Sequence, residues 1–136
     1  MPSAIDSVSA AVFHSRSDSP LMLLLQSNFT PNSQLLAWIN FTLGLSLQKI
    51  EDTANGAVAC QLMDAIHRNQ GGVSLKQVDF NAKTEYEALN NYKVLQQAFL
   101  KYGVNKSADS AKLVKGKPLD NLEFMQWFKV SANSQY

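Results

Sequence analysis

The sequence predicts an all-α fold, and three observations support this. Apolar residues recur at intervals of three and four along several segments, as they do on the buried face of a helix. Glycines follow several of these segments at positions where a helix would end. Only residues 73–82 alternate between apolar and polar side chains, and a lone strand has no partner to pair with. We therefore expect a compact helical bundle around a long central helix, with residues 73–82 as a short helix or an extended connector.

The 136 residues fit one domain that buries a substantial core. Residues 1–31 are rich in serine and are expected to be a poorly ordered extension, whereas residues 32–136 form the domain. The apolar run Leu21–Leu25 is far shorter than the roughly 20 residues that span a bilayer. Asp6, rather than a basic residue, precedes it, so we expect neither a targeting signal nor a membrane partner.

Two helices are predicted to open the domain. The first spans residues 33–43, and Gly44 ends it. Its apolar face comprises Leu35, Leu36, Ile39 and Leu43. Ser46 can cap a short second helix that ends near Asn55 and Gly56.

A third helix is predicted over residues 57–67, and the glycine pair at 71–72 breaks the chain after it. Its inward-facing residues are Val58, Leu62, Met63 and Ile66. Thr84 and Glu87 then form a capping box that opens a long helix to Tyr102. This helix carries Ala88, Tyr92, Leu95, Phe99 and Tyr102 on one face, so we expect it to be the central buried helix.

The last helix is predicted to follow a basic loop. Residues 112–117 contain three lysines and Gly116. Asp120 is expected to be the N-cap of the helix, with Glu123 completing a capping box and Leu119 and Phe124 forming a hydrophobic staple. A positively charged loop would thereby be fixed to a rigid element of the core.

Composition argues against several classes of function. The net charge is +1, and Arg16 and Arg68 are the only arginines, so a nucleic-acid partner is not expected. Cys60 is the only cysteine, which excludes an intramolecular disulfide and a zinc quartet and fits a reducing cytoplasm. Cys60 and His67 would lie about 10.5 Å apart along a helix, too far to act as a nucleophile pair. We interpret Cys60 as a small core residue.

No pattern for catalysis or for a cofactor stands out. The glycines do not form a phosphate loop, and neither His14 nor His67 has a carboxylate pattern around it that would complete a metal site. We expect no metal, no cofactor and no enzymatic activity. The lysines are the more promising feature, because residues 93–129 contain seven of them against three acidic residues. A solvated face would give the same composition, but lysine suits a broad acidic partner surface better than bidentate phosphate recognition.

Several segments together resemble the calponin homology domain of the end-binding proteins, which track microtubule plus ends. The resemblance covers nearly all of residues 33–136. It is carried by residues 36–40, 49–51, 56–57, 60–64, 91–96 and 112–128. Actin-binding calponin homology domains tend to carry an acidic residue where Lys112 stands, and they usually lack the ending Gln126, Trp127 and Phe128. The resemblance therefore favours the end-binding branch.

This resemblance implies a cytoplasmic, cytoskeletal protein whose domain docks between protofilaments of the microtubule lattice and helps to regulate microtubule dynamics. Its tubulin-binding lysines would be Lys76, Lys83, Lys106, Lys112, Lys115 and Lys117. Gln77 and Asp79 stand where many members have lysines. The family also has a dimerising coiled coil and a cargo-binding tail after this domain. Because residues up to Tyr136 contain no heptads, we expect a monomeric fragment of a dimeric protein.

One alternative of a different class remains open from the sequence. The chain could be a calponin homology domain that binds actin, or a signalling scaffold with no affinity for filaments.

Overall fold

The structure, a computed structural model, describes residues 31–134, and this part of the chain is helical without strands. The α-helices are α1 (Pro31–Leu43), α2 (Ala57–Ile66), α3 (Glu85–Lys101), α4 (Ser110–Leu113) and α5 (Pro118–Ser134). Short 3₁₀ turns span Ile50–Thr53, Arg68–Gln70 and Leu75–Gln77. The all-α prediction is confirmed, and the segment before α3 is a connector with one turn. The predicted poorly ordered extension, residues 1–31, lies outside the described residues except for Pro31, which is the first residue of α1.

Helix α1 matches its predicted end and begins two residues earlier than predicted. Pro31 is its first residue, a position that proline tolerates because no helical hydrogen bond is required of its nitrogen there. Gly44 follows the last residue with a φ of 67°, a conformation that favours glycine. Leu35 and Ile39 are buried as predicted.

The second predicted helix is a single 3₁₀ turn, and Ser46 does not cap it. Ser46 is exposed and lies four residues before the turn. The carboxylate of Asp52 instead accepts hydrogen bonds from the backbone N–H groups of Gln48 and Lys49, at 3.1 and 3.2 Å. A side chain within the turn therefore satisfies the donors that a capping serine would have satisfied.

Helix α2 is surrounded by the rest of the bundle, packing against α1, α3 and α5. Cys60 is fully buried, and its thiol donates to the backbone oxygen of Asn91 at 3.4 Å. Burial raises the pKa of the Cys60 thiol to about 12. The prediction that Cys60 is a core residue is confirmed, since such a thiol stays protonated and shielded from solvent.

Helix α3 begins at the predicted capping box. The Thr84 hydroxyl accepts a hydrogen bond from the backbone N–H of Glu87 at 3.1 Å, and the Glu87 carboxylate accepts from the backbone N–H of Thr84 at 3.0 Å. The backbone N–H groups of Lys83 and Thr84 lower the pKa of Glu87 by stabilising its charged form. Tyr92 and Leu95 on the predicted face have no solvent exposure.

Helix α5 starts at Pro118, so the predicted cap at Asp120 is wrong. Asp120 is the third residue of the helix, and Leu119 is 64% exposed and forms no staple with buried Phe124. Proline at the first helical position has its φ already set for a helix and lacks an N–H that would need a partner. The start signal at Pro118 thus overrides the weaker pattern two residues later.

An aromatic cluster joins α5 to α3 at the end of the core. Phe128 lies edge-on to Phe124 with ring centroids 5.1 Å apart, and Trp127 lies edge-on to Phe99 at 5.5 Å. Such contacts add to the burial of the rings, so α5 is firmly fixed to the bundle. None of the described helices is long and apolar enough to cross a membrane.

Candidate functional site

Buried Asn121 holds the basic loop against the first turn of α5. Its side-chain amide nitrogen donates to the backbone oxygen of Leu113 at 3.2 Å and to that of Lys117 at 3.0 Å. Asn121 itself has no solvent exposure. One side chain of the core therefore holds both ends of residues 113–117, so Lys115 and Lys117 rest on a fixed support.

The basic loop is more ordered than the sequence suggested. Lys112 lies in the last turn of α4, a helix that sequence reasoning missed, and residues 114–116 form a tight turn. Gly116 takes a φ of 76° within that turn. Lys115 and Lys117 are exposed and flank the glycine, so their ammonium groups project from the turn into solvent.

Lys106 and Lys112 line the same shallow cavity, of about 150 Å³, between α5 and the segment before α4. The acidic residues of this cavity are Asp109, Asp120 and Glu123. The ammonium of Lys112 lies 3.6 Å from the carboxylate of Asp120. Across residues 106–123, four lysines stand against three carboxylates and leave a net charge of +1. The positive character of this face is therefore slight.

Lys106 is only partly exposed, because its ammonium lies over the ring of Trp127 at 5.7 Å from the centroid. A cation above an aromatic face is attracted to the ring and gains about 0.5–1 kcal/mol at a solvent-accessible site. Trp127 in turn packs edge-on against Phe99. The core thereby restricts where the Lys106 charge can lie.

Lys83 lines a second cavity on the same side of the molecule. This cavity is shared by Lys83 and Val114, the residue before Lys115. The cavity also contains the acidic residues Glu51, Asp52 and Glu85. Lys83 is therefore brought near the basic loop, but in acidic surroundings that weaken its positive field.

Lys76 is not brought into either cavity. It is exposed on the 3₁₀ turn Leu75–Gln77, which packs against α2. The structure thus groups five of the six predicted lysines around the α4–α5 junction and leaves Lys76 apart. Lys93 is exposed on α3 and lines neither cavity of the candidate site, which makes it a useful control.

The structure also tests the chemistry around the other titratable groups. His67 is buried, stacks on Tyr102 with centroids 4.1 Å apart, and burial lowers its pKa. Within residues 31–134 no group of three or more His, Cys, Asp or Glu residues is placed to hold a metal ion.

Sequence reasoning missed the three contacts that shape this site. They are the Asn121 hydrogen bonds, the Lys112–Asp120 ion pair and the Lys106–Trp127 contact. Lysine spacing does not reveal any of them, since the partners lie 4 to 21 residues apart and meet only after folding. An asparagine on the inner face of a predicted helix was the one available signal.

A scan of protein families identifies a calponin homology (CH) domain at residues 29–129. A solved chain from work on the structural basis of microtubule plus end tracking by XMAP215, CLIP-170 and EB1 superposes with a TM-score of 0.69. That match has 42% sequence identity and covers 74% of this chain and 83% of the other. The chain belongs to the calponin homology family, in its end-binding branch.

Curated relatives of this calponin homology chain come from Arabidopsis thaliana. Microtubule-associated protein RP/EB family member 1C is 54% identical over 106 residues, which are 78% of this chain and 32% of that protein. Member 1B is 48% identical and member 1A is 46% identical over the same length. The chain spans about a third of the length of these relatives.

Proposed function

We propose that this chain is the microtubule-binding module of an end-binding protein that tracks plus ends. The observation that carries the proposal is the basic loop, which Asn121 holds in place. The loop belongs to a calponin homology domain that is 42% identical to a chain solved in work on plus-end tracking. The partner would be the acidic outer surface of tubulin, with the domain docked between protofilaments. The relatives named above are microtubule-associated proteins, which supports this partner.

The proposed contacts are Lys106, Lys112, Lys115 and Lys117, with Lys83 and Lys76 at the margin. Lys115 and Lys117 are the most available, because both are exposed and neither forms an ion pair among the described residues. Lys112 forms an ion pair with Asp120, and the ammonium of Lys106 lies over the ring of Trp127. Binding through such lysines is electrostatic and suits a broad acidic surface rather than one specific group.

Charge pairing of this kind is sensitive to salt. The Debye length is about 8 Å at physiological ionic strength, so added salt screens exposed lysines strongly. With a net charge of only +1 around the site, a single domain should bind weakly. Joining two domains through a coiled coil would raise the apparent affinity through effective concentration. We therefore also propose that the longer protein is a dimer that acts at microtubule ends in the cytoplasm.

The experiment that tests this function is co-pelleting with microtubules and with actin filaments in parallel, at low and high salt. We expect the domain to pellet with microtubules at low salt, to be released at high salt and to leave actin filaments unoccupied. Pelleting with actin alone would establish the alternative, an actin-binding calponin homology domain. Equal microtubule pelleting at both salt concentrations would contradict the electrostatic account.

A further inference from the structure

Ser107 is an exposed serine at the edge of the candidate site, and within residues 31–134 its side chain forms no contact that holds the fold together. It lies between α3 and α4, in a segment with no helical turn. Among the described residues, nothing accepts or donates a hydrogen bond at its hydroxyl, and no backbone N–H from residue 105 to 109 is bonded to another backbone group. Such a segment can become extended without disrupting a helix, as a protein kinase requires of its substrate.

The surroundings of Ser107 are those in which a phosphate would have the greatest effect. Ser107 lines the cavity that contains Lys106 and Lys112. The segment from 106 to 123 carries a net charge of only +1. A phosphoserine carries about −1.5 to −2 at neutral pH, so one phosphate would reverse the sign of the whole segment.

We propose that Ser107 is a phosphorylation site that switches off lattice binding, an inference that rests on the proposed microtubule function. A serine/threonine kinase would transfer the γ-phosphoryl group of ATP to the Ser107 oxygen. The new O–P bond forms as the P–O bond to the ADP leaving group breaks, and the hydroxyl proton passes to a base of the kinase. The dianion would pair with Lys106 and Lys112 and repel acidic tubulin.

Ser110 offers a contrast within the same stretch of chain. It is the first residue of α4, is partly buried, and lines a different cavity with Tyr86 and Lys93. Its backbone N–H donates to the oxygen of Ala108 at 2.9 Å. Phosphorylation there would need α4 to open, so the structure assigns the modification to Ser107.

The test compares the domain carrying genetically encoded phosphoserine at position 107 with the unmodified domain in microtubule co-pelleting. We expect binding weakened by at least about tenfold, with an unchanged melting temperature. Phosphoserine at Ser46, which is exposed outside the lysine cavities, is the matched control and should weaken binding much less. Ser107→Ala should bind as the unmodified domain does.

The outcomes separate this inference from the proposed function. If the unmodified domain fails to pellet with microtubules, the proposed function itself is wrong. Two results would overturn only the switch, provided that the unmodified domain pellets. The Ser107 phosphoprotein could pellet as well as the unmodified domain, or phosphoserine at position 46 could weaken pelleting as much as phosphoserine at position 107 does. Mass spectrometry of the protein from its native cells, dividing and non-dividing, should show phosphate at Ser107, and its absence from both would also overturn the switch.

Discussion

The ammonium group of Lys112 lies 3.6 Å from the carboxylate of Asp120, across the junction between α4 and α5. The Asp120 side chain is only 17% exposed, whereas that of Lys112 is 62% exposed. An ion pair of this kind contributes little to stability. It does engage the ammonium of Lys112, which could otherwise contact a binding partner. We therefore expect Asp120 to compete with tubulin for Lys112 in the proposed interface.

Replacing Asp120 by asparagine should strengthen microtubule binding. The substitution releases Lys112 and removes one of three carboxylates from the cavity. Loss of a negative charge in the first turn of α5 should lower the free energy of unfolding by about 0.3–1 kcal/mol. Co-pelleting across a range of microtubule concentrations measures the affinity.

Glu123→Gln is the matched control for Asp120→Asn, because Glu123 lines the same cavity and is exposed. Among the described ion pairs, Glu123 takes part in none. We expect Glu123→Gln to strengthen binding less than Asp120→Asn does. An equal gain from both variants would mean that only net charge matters and that the ion pair does not withhold Lys112.

Asn121→Ala should loosen the basic loop and destabilise the domain. The backbone oxygens of Leu113 and Lys117 would each lose the bond from the Asn121 side chain. Each would keep one backbone donor, the N–H of residue 116 at 3.1 Å for Leu113 and that of residue 121 at 3.2 Å for Lys117. A hydrogen bond contributes about 0.5–1.5 kcal/mol to stability, so the loss of two should lower the free energy of unfolding by about 1–3 kcal/mol. Denaturant unfolding measures this cost, and hydrogen exchange at residues 113–117 should become faster.

Asn90→Ala is the control for Asn121→Ala, since Asn90 is exposed on α3. Alanine is a better helix former than asparagine, so this variant should be as stable as the parent or slightly more stable. Unchanged exchange at residues 113–117 in the Asn121 variant would show that the loop is held by other contacts.

Gly72→Ala should destabilise the turn between α2 and α3. A Cβ at position 72 would lie 2.1 Å from a carboxylate oxygen of Asp64, which accepts the backbone N–H of Val73 at 2.8 Å. The φ of 62° also disfavours alanine. Both the backbone strain and the displaced hydrogen bond should lower the free energy of unfolding.

Gly103→Ala provides a matched comparison for Gly72→Ala. Its φ of 65° is nearly the same, but an added Cβ would meet nothing within 4 Å. Backbone strain alone should cost about 1–2 kcal/mol at Gly103. The cost at Gly72 should exceed that by at least about 1 kcal/mol, because the Asp64 hydrogen bond is also lost. Equal melting temperatures for the two variants would contradict the steric role of Asp64.

The helices that could be predicted from sequence are those with local signals that agree. Thr84 and Glu87 cap α3 through bonds between residues three apart, and the apolar spacing continues to the glycine that ends the helix. Helix α5 has two competing start signals, Pro118 and Asp120, so its first residue was misplaced. Ser46 was a plausible cap, but nothing local indicated that Asp52 would take that role.

The residues of the candidate site could be predicted from the sequence, but the contacts between them could not. The lysines themselves are visible in the sequence, and a family resemblance was needed to select six of them. Their partners are tertiary: Trp127 reaches Lys106 across 21 residues, and Asp120 reaches Lys112 from the next helix. Contacts of this range depend on how α5 packs, which no local pattern encodes.

Charge reversal tests most directly whether the lysines at the α4–α5 junction form the microtubule contact. Lys106→Glu with Lys117→Glu should abolish co-pelleting, because the new carboxylates would repel an acidic lattice. Loss of the Trp127 contact should cost no more than about 1 kcal/mol of stability, so the fold should persist. Circular dichroism and thermal melting check that it does.

The deciding comparison is with Lys93→Glu, which reverses a charge on the exposed face of α3, outside the candidate site. Microtubule co-pelleting of the two variants, measured side by side at low salt, should show binding lost in the Lys106/Lys117 double variant and largely kept in the Lys93 variant. Equal loss in both, with both folded, would mean that binding follows net charge alone and that the α4–α5 junction is not the contact.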